Sequence, residues 1–494
     1  MPVYGHILPR AESRYALGPH CRLPAEGFRI ALLKNPSQSF FGEGCPVSKD
    51  DRLSKAQKPS QEALRLHPFY RGKYQTVPKA AIRSFQDFAI WYSPGVAAPC
   101  MDIYANPEKV YEHTAKGNTI AVVSDGTRVL GLGDIGPEAA LPVMEGKSML
   151  FKYLGGVNAV PICLKTKDPE EIISAVKWLQ PAFGGINLED IAQPKCFDIL
   201  DRLRAECEIP VWHDDQQGTA AVLLAGFINA LKLVGKDIGN VKVAMVGAGA
   251  ANIRTVHLLI AAGVDPAKIV LCDSKGTLHK GRTDLEGAPG PKWGMCQLTN
   301  GDGIQGGIAE AMAGADVVIG CSQPGPGVIL PEWVRGMASD PIVFACANPV
   351  PEIWPWDAEE AGAAVVATGR SDFANQINNS LGFPAIFRGA LDVRATTITD
   401  EMCIAAAREL AAVAEEKGLR PDYIVPTMDE WEVYPREAAA VGMAAIQQGV
   451  ARRTATREEL LAEAENIIRE SRALTTMMMD QGFIAMPPEP DDQE

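Results

Sequence analysis

The chain has 494 residues, of which 47% are hydrophobic and 22% are charged, and its formal net charge is −14. This acidic balance argues against binding to nucleic acids and to acidic membrane surfaces, because both partners are themselves negatively charged. The length predicts two or more domains, and 11 cysteines without a Cys-x-x-Cys spacing favour a reducing cytoplasm. The N-terminus lacks the apolar core of a secretory signal, whereas an organellar transit peptide stays open as an alternative.

Residues 1–65 are rich in proline and glycine and weakly periodic, which predicts an extension of little regular structure. The pattern then changes, and we assign residues 66–216 to a first α/β domain. Within it, the apolar run TIAVVS at 119–124 predicts a buried strand, a helix follows over 137–153, and NAVPICL at 158–164 predicts the next strand. This order is typical of a βαβ unit with parallel strands.

A second α/β domain is predicted over residues 217–455. It begins with an apolar helix at 219–235, which Asn229 and Lys232 interrupt, so a buried core helix is a better interpretation than a membrane span. Short apolar strands then alternate with helices, which predicts a Rossmann-type, doubly wound parallel sheet. Residues 456–494 predict a charged amphipathic helix followed by a disordered acidic tail.

The segment VAMVGAGAAN indicates a dinucleotide site at the start of this second domain. Gly247 permits a tight turn after an apolar strand, and Gly249 lets the backbone approach a pyrophosphate. The helix that starts with Ala250 and Ala251 would direct its N-terminal amides at that group. The third position of the usual Gly-x-Gly-x-x-Gly pattern is Asn252, so the motif is imperfect.

An acid ends the next predicted strand, as a dinucleotide site requires. Asp273 in IVLCDSKG is predicted to bind the 2′-hydroxyl of an NAD ribose and to repel the 2′-phosphate of NADP. Lys275 could soften that repulsion. We therefore expect NAD to be the preferred coenzyme, with NADP as the alternative.

Two pairs of acids follow strand-like segments in the first domain: Glu189-Asp190 in INLEDI and Asp214-Asp215 in HDDQ. Clusters with oxygen ligands only suit hard divalent cations such as Mg²⁺ or Mn²⁺. Each pair taken alone is also typical of a solvated turn or helix cap. The residues therefore predict a cation site only if the two pairs meet in space.

Several motifs together resemble those of malic enzymes, in the same order along the chain. They are WYSPGVAAPC, SDGTRVLGLGDIGPEAALPVMEGKSMLFK, INLEDI, HDDQQGTA, GAGAAN, CANPVPEI and ATGRSDFANQINNSLGFPAIFRGALD. The resemblance covers residues 70–450 and is to the smaller bacterial and archaeal members, without a fused phosphotransacetylase-like domain. It implies the oxidative decarboxylation of L-malate to pyruvate and CO₂ with NAD(P)⁺ and Mg²⁺ or Mn²⁺, by a homodimer or homotetramer.

The resemblance also implies roles for the acids and for a lysine. Glu189, Asp190 and Asp215 would hold the metal, and Asp214 would pair with Lys147. The adjacent aspartates would then face two different cations, which would offset their mutual repulsion. Lys147, with a pKa lowered by desolvation, would take the proton of the malate hydroxyl.

The remaining assignments concern proton return, substrate and coenzyme. Tyr92 would protonate the enolate that forms when CO₂ leaves, although tyrosine and lysine could divide the two proton transfers differently. Arg128 would bind a malate carboxylate, a task that its planar guanidinium suits. Asn348 and Asn379 would contact substrate and nicotinamide, and Thr219 would start the helix beneath the coenzyme phosphates.

Three other functions stay open on the sequence. A malolactic-type enzyme would keep the same metal and NAD sites but release lactate without net reduction of coenzyme. An amino-acid dehydrogenase would need no acid cluster. A non-catalytic NAD-sensing protein would bind the dinucleotide without turnover.

Overall fold

The computed structural model describes residues 49–489. Its N-terminal half contains the strands β1 (Thr119–Ser124), β2 (Asn158–Cys163), β3 (Gly185–Leu188) and β4 (Val211–His213). They form a parallel sheet in the order β2-β1-β3-β4. Parallel neighbours need long crossover connections, and helices provide them here. The βαβ unit predicted around TIAVVS is confirmed.

The helices of this half are α1 (Lys49–Tyr70), α2 (Phe88–Trp91), α3 (Ala97–Ala105), α4 (Val110–His113), α5 (Pro137–Gly155), α6 (Pro169–Leu179) and α7 (Lys195–Glu206). Helix α5 covers one face of the sheet and α6 and α7 cover the other, which explains why β1 is a continuous apolar run and not an alternating one. Ile120 and Val122 pack with α5, whereas Ala121 and Val123 pack with α6 and α7 on the other face.

The C-terminal half contains the strands β5 (Val243–Val246), β6 (Ile269–Asp273), β7 (Gly276–Thr277), β8 (Val317–Gly320), β9 (Ile342–Ala345) and β10 (Val365–Thr368). Their order is β10-β9-β8-β5-β6-β7, and all pairs are parallel except β6 with β7. After β5 the chain first adds β6 and β7 on one side of this strand, and it later adds β8, β9 and β10 on the other side. Such a switch point opens a crevice at the carboxyl ends of β5 and β8, where doubly wound sheets bind ligands.

The helices of this half are α8 (Thr219–Val234), α9 (Ala250–Ala262), α10 (Lys292–Leu298), α11 (Ile308–Met312), α12 (Pro331–Arg335), α13 (Pro355–Glu360), α14 (Phe383–Asp392), α15 (Asp400–Lys417), α16 (Val433–Gln447) and α17 (Arg457–Asp480). One hydrophobic core joins the two sheets, since Val122 of β1 and Met245 of β5 belong to it together with most of α8. The predicted fold class, an α/β domain followed by a Rossmann-type domain, is confirmed.

Helix α8 connects the two sheets. With the preceding turn it is long and apolar enough to cross a membrane by composition, but 72% of that stretch is buried inside the protein. Its polar residue Asn229 donates to the carbonyl oxygens of Ala411 and Ile424, each at 2.9 Å. The helix is therefore a core element, as its sequence predicts. The predicted domain boundary between residues 216 and 217 falls inside the buried turn before it.

The prediction of little regular structure over residues 1–65 is wrong for its last part, because α1 begins at Lys49. Residues 1–48 lie outside the described part of the chain. The physical reason is a long-range contact that local sequence does not reveal: Arg65 and Tyr70 of α1 donate to the carbonyl oxygens of Pro488 and Ala485. The acidic tail beyond residue 489 also lies outside the description.

Candidate active site

The two acid pairs meet because their strands are neighbours. β3 and β4 lie parallel, with Leu188 paired to His213, so the residues that follow them leave the sheet at the same edge. Glu189 and Asp214 are those residues. The sequence predicted each pair at a strand end, and the strand order brings them together.

Glu189, Asp190 and Asp215 form an acidic triad whose carboxylate oxygens lie within 4.8 Å of one another. Glu189 and Asp190 are buried, and the Oδ2 atom of Asp190 has no hydrogen-bond partner within the described chain. Buried carboxylates at this spacing with an unsatisfied oxygen are costly unless a cation joins them. The donor set, with oxygen ligands only, fits Mg²⁺ or Mn²⁺.

The pKa values of the triad carboxyl groups also indicate that a cation is needed to keep them ionised. Burial, with the nearby charge of Asp215, raises the pKa of Asp190 to about 8. Burial also raises the pKa of Glu189 well above its usual range, although Lys147 opposes this. A divalent cation would stabilise the ionised carboxylates, because an opposite charge at short range favours the charged form.

Backbone contacts hold Asp190 in an unusual conformation, with φ of 56°. Its amide donates to Asp215 Oδ2 at 2.8 Å, and its carbonyl accepts from the amide of Arg128 at 2.9 Å. The amide of Leu130 donates to Asp190 Oδ1 at 3.3 Å. The segment that carries Arg128 therefore wraps around the triad, with the exposed Arg128 side chain beside it.

Lys147 lies on the buried face of α5 and points at this triad. Its Nζ is 2.6 Å from Asp214 Oδ2 and 3.0 Å from Glu189 Oε1. Asn379 Oδ1 is 3.4 Å away, and the ring of Phe383 lies 4.3 Å from the same nitrogen. In the structure, Asp214 thus contacts Lys147 and Asp215 belongs to the triad, which is the division that the resemblance implied.

The predicted lowering of the Lys147 pKa is wrong for this arrangement. Burial does lower the pKa, but the charges of Asp214 and Glu189 outweigh burial and raise it. The lysine is therefore a firmly protonated partner of the carboxylates here. A divalent cation among the same carboxylates would oppose this effect, since like charges disfavour one another.

A buried π-helical turn, Asp214–Gly218, connects β4 to α8 and aims Asp214 at Lys147. Trp212 Nε1 donates to Asp214 Oδ1 at 3.3 Å. A Cβ atom on Gly218 would overlap that same oxygen, so only glycine fits. Sequence reasoning missed Trp212 and Gly218, although a glycine directly before Thr219, the first residue of α8, was a usable signal.

The glycine turn after β5 has the geometry of a dinucleotide site. Gly247 has φ of 96°, and a Cβ there would lie 2.7 Å from the carbonyl oxygen of Cys321. No atom lies within 4 Å of the position of a Cβ on Gly249, so the space before Ala250, where α9 begins, is open. Asn252, the imperfect position of the motif, is buried and donates to the carbonyls of Val246 and Gly247 at 3.0 and 2.7 Å. It stabilises the turn.

Asp273 ends β6 beside this turn, but it already has cationic partners. Arg282 donates to both of its carboxylate oxygens, at 3.0 and 3.1 Å, and Lys292 Nζ lies 3.4 Å away. Asp273 is therefore not an unopposed negative charge, and the predicted repulsion of a 2′-phosphate does not follow from it. The sequence analysis missed both cations because they follow Asp273 by nine and nineteen positions without a recognisable spacing.

Tyr92 and Asn348, two further residues of the predicted site, lie in different surroundings. Tyr92 is 72% exposed, and no hydrogen bond joins it to Lys147 within residues 57–489. Asn348 lies in the loop after β9, where a Cβ on Gly131 of the first half would overlap its carbonyl oxygen. The loops of the two halves therefore touch at the crevice. Asn378, the neighbour of Asn379, instead donates to Gly369 and caps the next turn.

The chain matches two protein-family models over most of its length. Residues 71–204 match the malic enzyme N-terminal domain, and residues 216–446 match the malic enzyme NAD-binding domain. The first segment contains Lys147, Glu189 and Asp190, and the second contains the glycine turn, whereas Asp214 and Asp215 lie in the short gap between the two segments. Most of the acid cluster and the dinucleotide-type turn thus belong to recognised parts of one family.

Individual relatives agree with these matches. The chain is 52% identical over 407 residues to the bifunctional malic/malolactic enzyme of Bacillus subtilis, covering 82% of this chain and 98% of that one. It is 53% identical over 383 residues to the NAD-dependent malic enzyme of Geobacillus stearothermophilus, covering 77% and 78%. The crystal structure of Entamoeba histolytica malic enzyme superposes with a TM-score of 0.88 at 49% identity, covering 90% and 93%. The chain therefore belongs to the malic enzyme family.

Proposed function

We propose that this protein oxidises and decarboxylates L-malate to pyruvate and CO₂, using NAD(P)⁺ and a divalent cation. The observation that carries the proposal is the buried Lys147, 2.6 Å from Asp214 and 3.0 Å from Glu189 of the acidic triad. A hydroxyl seated beside the lysine and the triad would meet both the amine of Lys147 and a cation held by the carboxylates. The glycine turn at Gly247 supplies a place for the hydride acceptor.

Lys147 is the group that takes the proton of the C2 hydroxyl in this proposal. It must first give up its own proton, and Asp214, whose Oδ2 atom lies 2.6 Å from Lys147 Nζ, accepts that proton and orients the amine. Removal of the hydroxyl proton lets hydride leave C2 for the nicotinamide. A bound divalent cation supplies a Lewis acid that polarises the carbonyl oxygen of the resulting β-keto acid, which favours loss of CO₂. Arg128 and Asn379 would orient the carboxylates of the substrate.

Tyr92 is assigned the return of a proton to C3, and its position suggests how. Residues 85–101 around it carry the exposed apolar side chains of Phe85, Phe88, Trp91 and Met101, and the rings of Phe85 and Phe88 lie 6.3 Å apart. Several exposed apolar side chains in one segment are typical of an interaction face. We therefore propose that a second copy of the chain covers this face, as a homodimer or a homotetramer, and that Tyr92 acts from the interface.

The experiment that tests the function is direct. Purified protein is mixed with L-malate, Mn²⁺ and either NAD⁺ or NADP⁺, while absorbance of the reduced coenzyme and pyruvate are followed in parallel. We expect equal amounts of both products. No turnover with either coenzyme would contradict the proposal and favour a dinucleotide-sensing role.

A malolactic activity is the second candidate, because the Bacillus subtilis relative is named a bifunctional malic/malolactic enzyme. In that reaction the hydride returns to pyruvate within the same site, so lactate forms without net reduced coenzyme. Lactate is therefore assayed in the same mixtures. Lactate in excess of reduced coenzyme would assign the second activity to this chain.

Gly218→Ala is expected to lower malate turnover about a hundredfold, the cost of moving a catalytic group by about 1 Å. The new methyl group would overlap Asp214 Oδ1 and displace the carboxylate from Lys147. Overpacking of this kind also destabilises a fold by about 1–3 kcal/mol. Gly294→Ala in α10 is the matched control, since no atom lies within 4 Å of its new Cβ. Equal activities of the two variants would show that Gly218 is not needed to position Asp214.

Coenzyme preference is the finer part of the proposal, and the charges around Asp273 support acceptance of both NAD and NADP. Asp273→Ser would release Lys292 and remove one of the two acids that bond Arg282, which keeps Asp284 at 2.8 Å, so both cations could attract a 2′-phosphate. We expect the ratio of kcat/KM for NADP⁺ over NAD⁺ to rise about tenfold or more, as one charge-assisted contact of about 1.5–3 kcal/mol allows. Arg282→Ala should move the ratio in the opposite direction. If neither variant changes the ratio, preference is set elsewhere.

A further inference from the structure

One fully buried carboxylate in the dinucleotide half has no role in the chemistry described above. Glu352 lies in the segment CANPVPE that follows β9, and its side chain is completely shielded from solvent. A buried carboxylate costs free energy unless hydrogen bonds compensate it. Its contacts therefore indicate what it does.

Glu352 is hydrogen-bonded at both oxygens. Oε1 accepts from the amide of Ser322 at 2.8 Å and from its hydroxyl at 3.0 Å, and Oε2 accepts from the amide of Ala347 at 3.0 Å. Ser322 follows β8, and Ala347 follows β9. A Cβ on Gly320, the last residue of β8, would lie 2.7 Å from the carboxyl carbon, so glycine makes room for this group.

The two tied segments border the dinucleotide crevice. A Cβ on Gly247 would lie 3.0 Å from the Cα of Ser322, so the Ser322 segment packs against the glycine turn. Ala347 directly precedes Asn348, whose carbonyl oxygen lies against Gly131 at the junction of the two halves. Neither of these two segments contains a residue of the acidic triad.

We propose that Glu352 is a positioning residue that fixes the ends of β8 and β9 against the dinucleotide, and so controls coenzyme binding and hydride transfer without contributing to the metal centre. This inference rests on the proposed function, since it assigns the crevice at Gly247 to NAD(P). The carboxylate does not touch the coenzyme site itself. It acts through Ser322 and Asn348.

The proposal predicts a separation of two half-reactions in Glu352→Gln. Glutamine keeps one acceptor oxygen but would present an NH₂ donor to one of the two backbone amides that the carboxylate accepts from, so the strand ends should shift. We expect the Kd for NADH to rise, and the kcat/KM for malate oxidation to fall, by about tenfold to a hundredfold each, the range for misplaced reacting groups. Decarboxylation of oxaloacetate with Mn²⁺ and no coenzyme should stay within about twofold of the wild-type rate, because it depends on the metal and needs neither coenzyme nor hydride transfer.

Asp316→Asn is the matched control. Asp316 precedes β8 at the opposite end of the same strand, where it accepts from the amide of Lys242 and from Lys236 at 2.8 Å each. It should leave NADH affinity unchanged. Ser322→Ala, which removes one contact of Glu352, provides a milder variant if Glu352→Gln does not fold, and should weaken NADH binding in the same direction.

Three results would overturn the proposal: wild-type NADH affinity in Glu352→Gln, equal loss of both half-reactions, or the same defect in Asp316→Asn. If the wild-type protein did not oxidise malate, the proposed function would fail first. The NADH affinities of the variants would still decide the role of Glu352, so the two failures are distinguishable.

Discussion

Lys147→Ala should lower malate oxidation by about a hundredfold to ten-thousandfold, the usual contribution of a positioned acid or base. The lysine is buried and bonded to Asp214 and Glu189, and no other lysine or arginine side chain among the described residues is recorded within 4.0 Å of either carboxylate. NADH binding, measured by titration of the purified variant, should remain within about twofold of wild type, because Lys147 lies in the other half of the molecule.

Two further variants, with a measurement of stability, distinguish lost chemistry from lost folding. Removing one partner of a buried ion pair costs about 3–5 kcal/mol of stability, so thermal unfolding must be followed alongside activity. Lys147→Arg keeps the charge beside Asp214 and should still lose most activity, since arginine stays protonated. Lys152→Ala, on the same helix and bonded to Asn158 instead, is the control. Near-normal turnover in Lys147→Ala would remove the lysine from the mechanism.

Asp215→Ala should weaken Mn²⁺ binding far more than NADH binding. Loss of a group that only orients a metal ligand costs about tenfold to a hundredfold in affinity, and Asp215 is itself a candidate ligand, so at least the upper end is expected. It also accepts the Asp190 amide at 2.8 Å, so a second ligand would lose its support. Mn²⁺ titration by electron paramagnetic resonance measures this directly.

The wild-type titration has a predictable pH dependence. Without metal, the pKa of Asp190 is raised to about 8 by burial and by Asp215. A protonated carboxyl must release its proton to bind a cation, so Mn²⁺ affinity should increase as the pH rises towards 8 and level off above it. Asp134→Asn, an exposed acid paired with Lys167, should change neither affinity nor pH profile. A flat profile would contradict the buried triad.

Most of the architecture could be predicted from the sequence because the local signals agreed with one another. The strand TIAVVS, the helix starting at Thr219 and the turn at Gly247 each combine apolar periodicity with an appropriate flanking residue, and all three were predicted. The order of the motifs then indicated the malic enzyme family, which the family models confirm. By contrast, α1 formed where proline and glycine argued against structure, since its partners are more than 400 positions away.

The missed features of the site depend on contacts between distant residues. Asp273 ends its strand as predicted, but its charge is balanced by Arg282, whose position no local pattern indicates. Burial alone would lower the pKa of Lys147, and only the strand order that brings Asp214 and Glu189 beside it reverses the sign. Such effects follow from the tertiary structure, not from the residue types.

The continuous path from β4 through the π-helical turn into α8 has a consequence for dissecting the protein. A cut between residues 216 and 217 would sever a buried turn and leave α8, most of which is apolar and buried, without its neighbours. Two fragments made separately should therefore aggregate or stay unfolded, whereas co-expressed fragments should reassemble through the shared core. The substrate and coenzyme halves are thus not modules that evolution or engineering can exchange by simple recombination at this point.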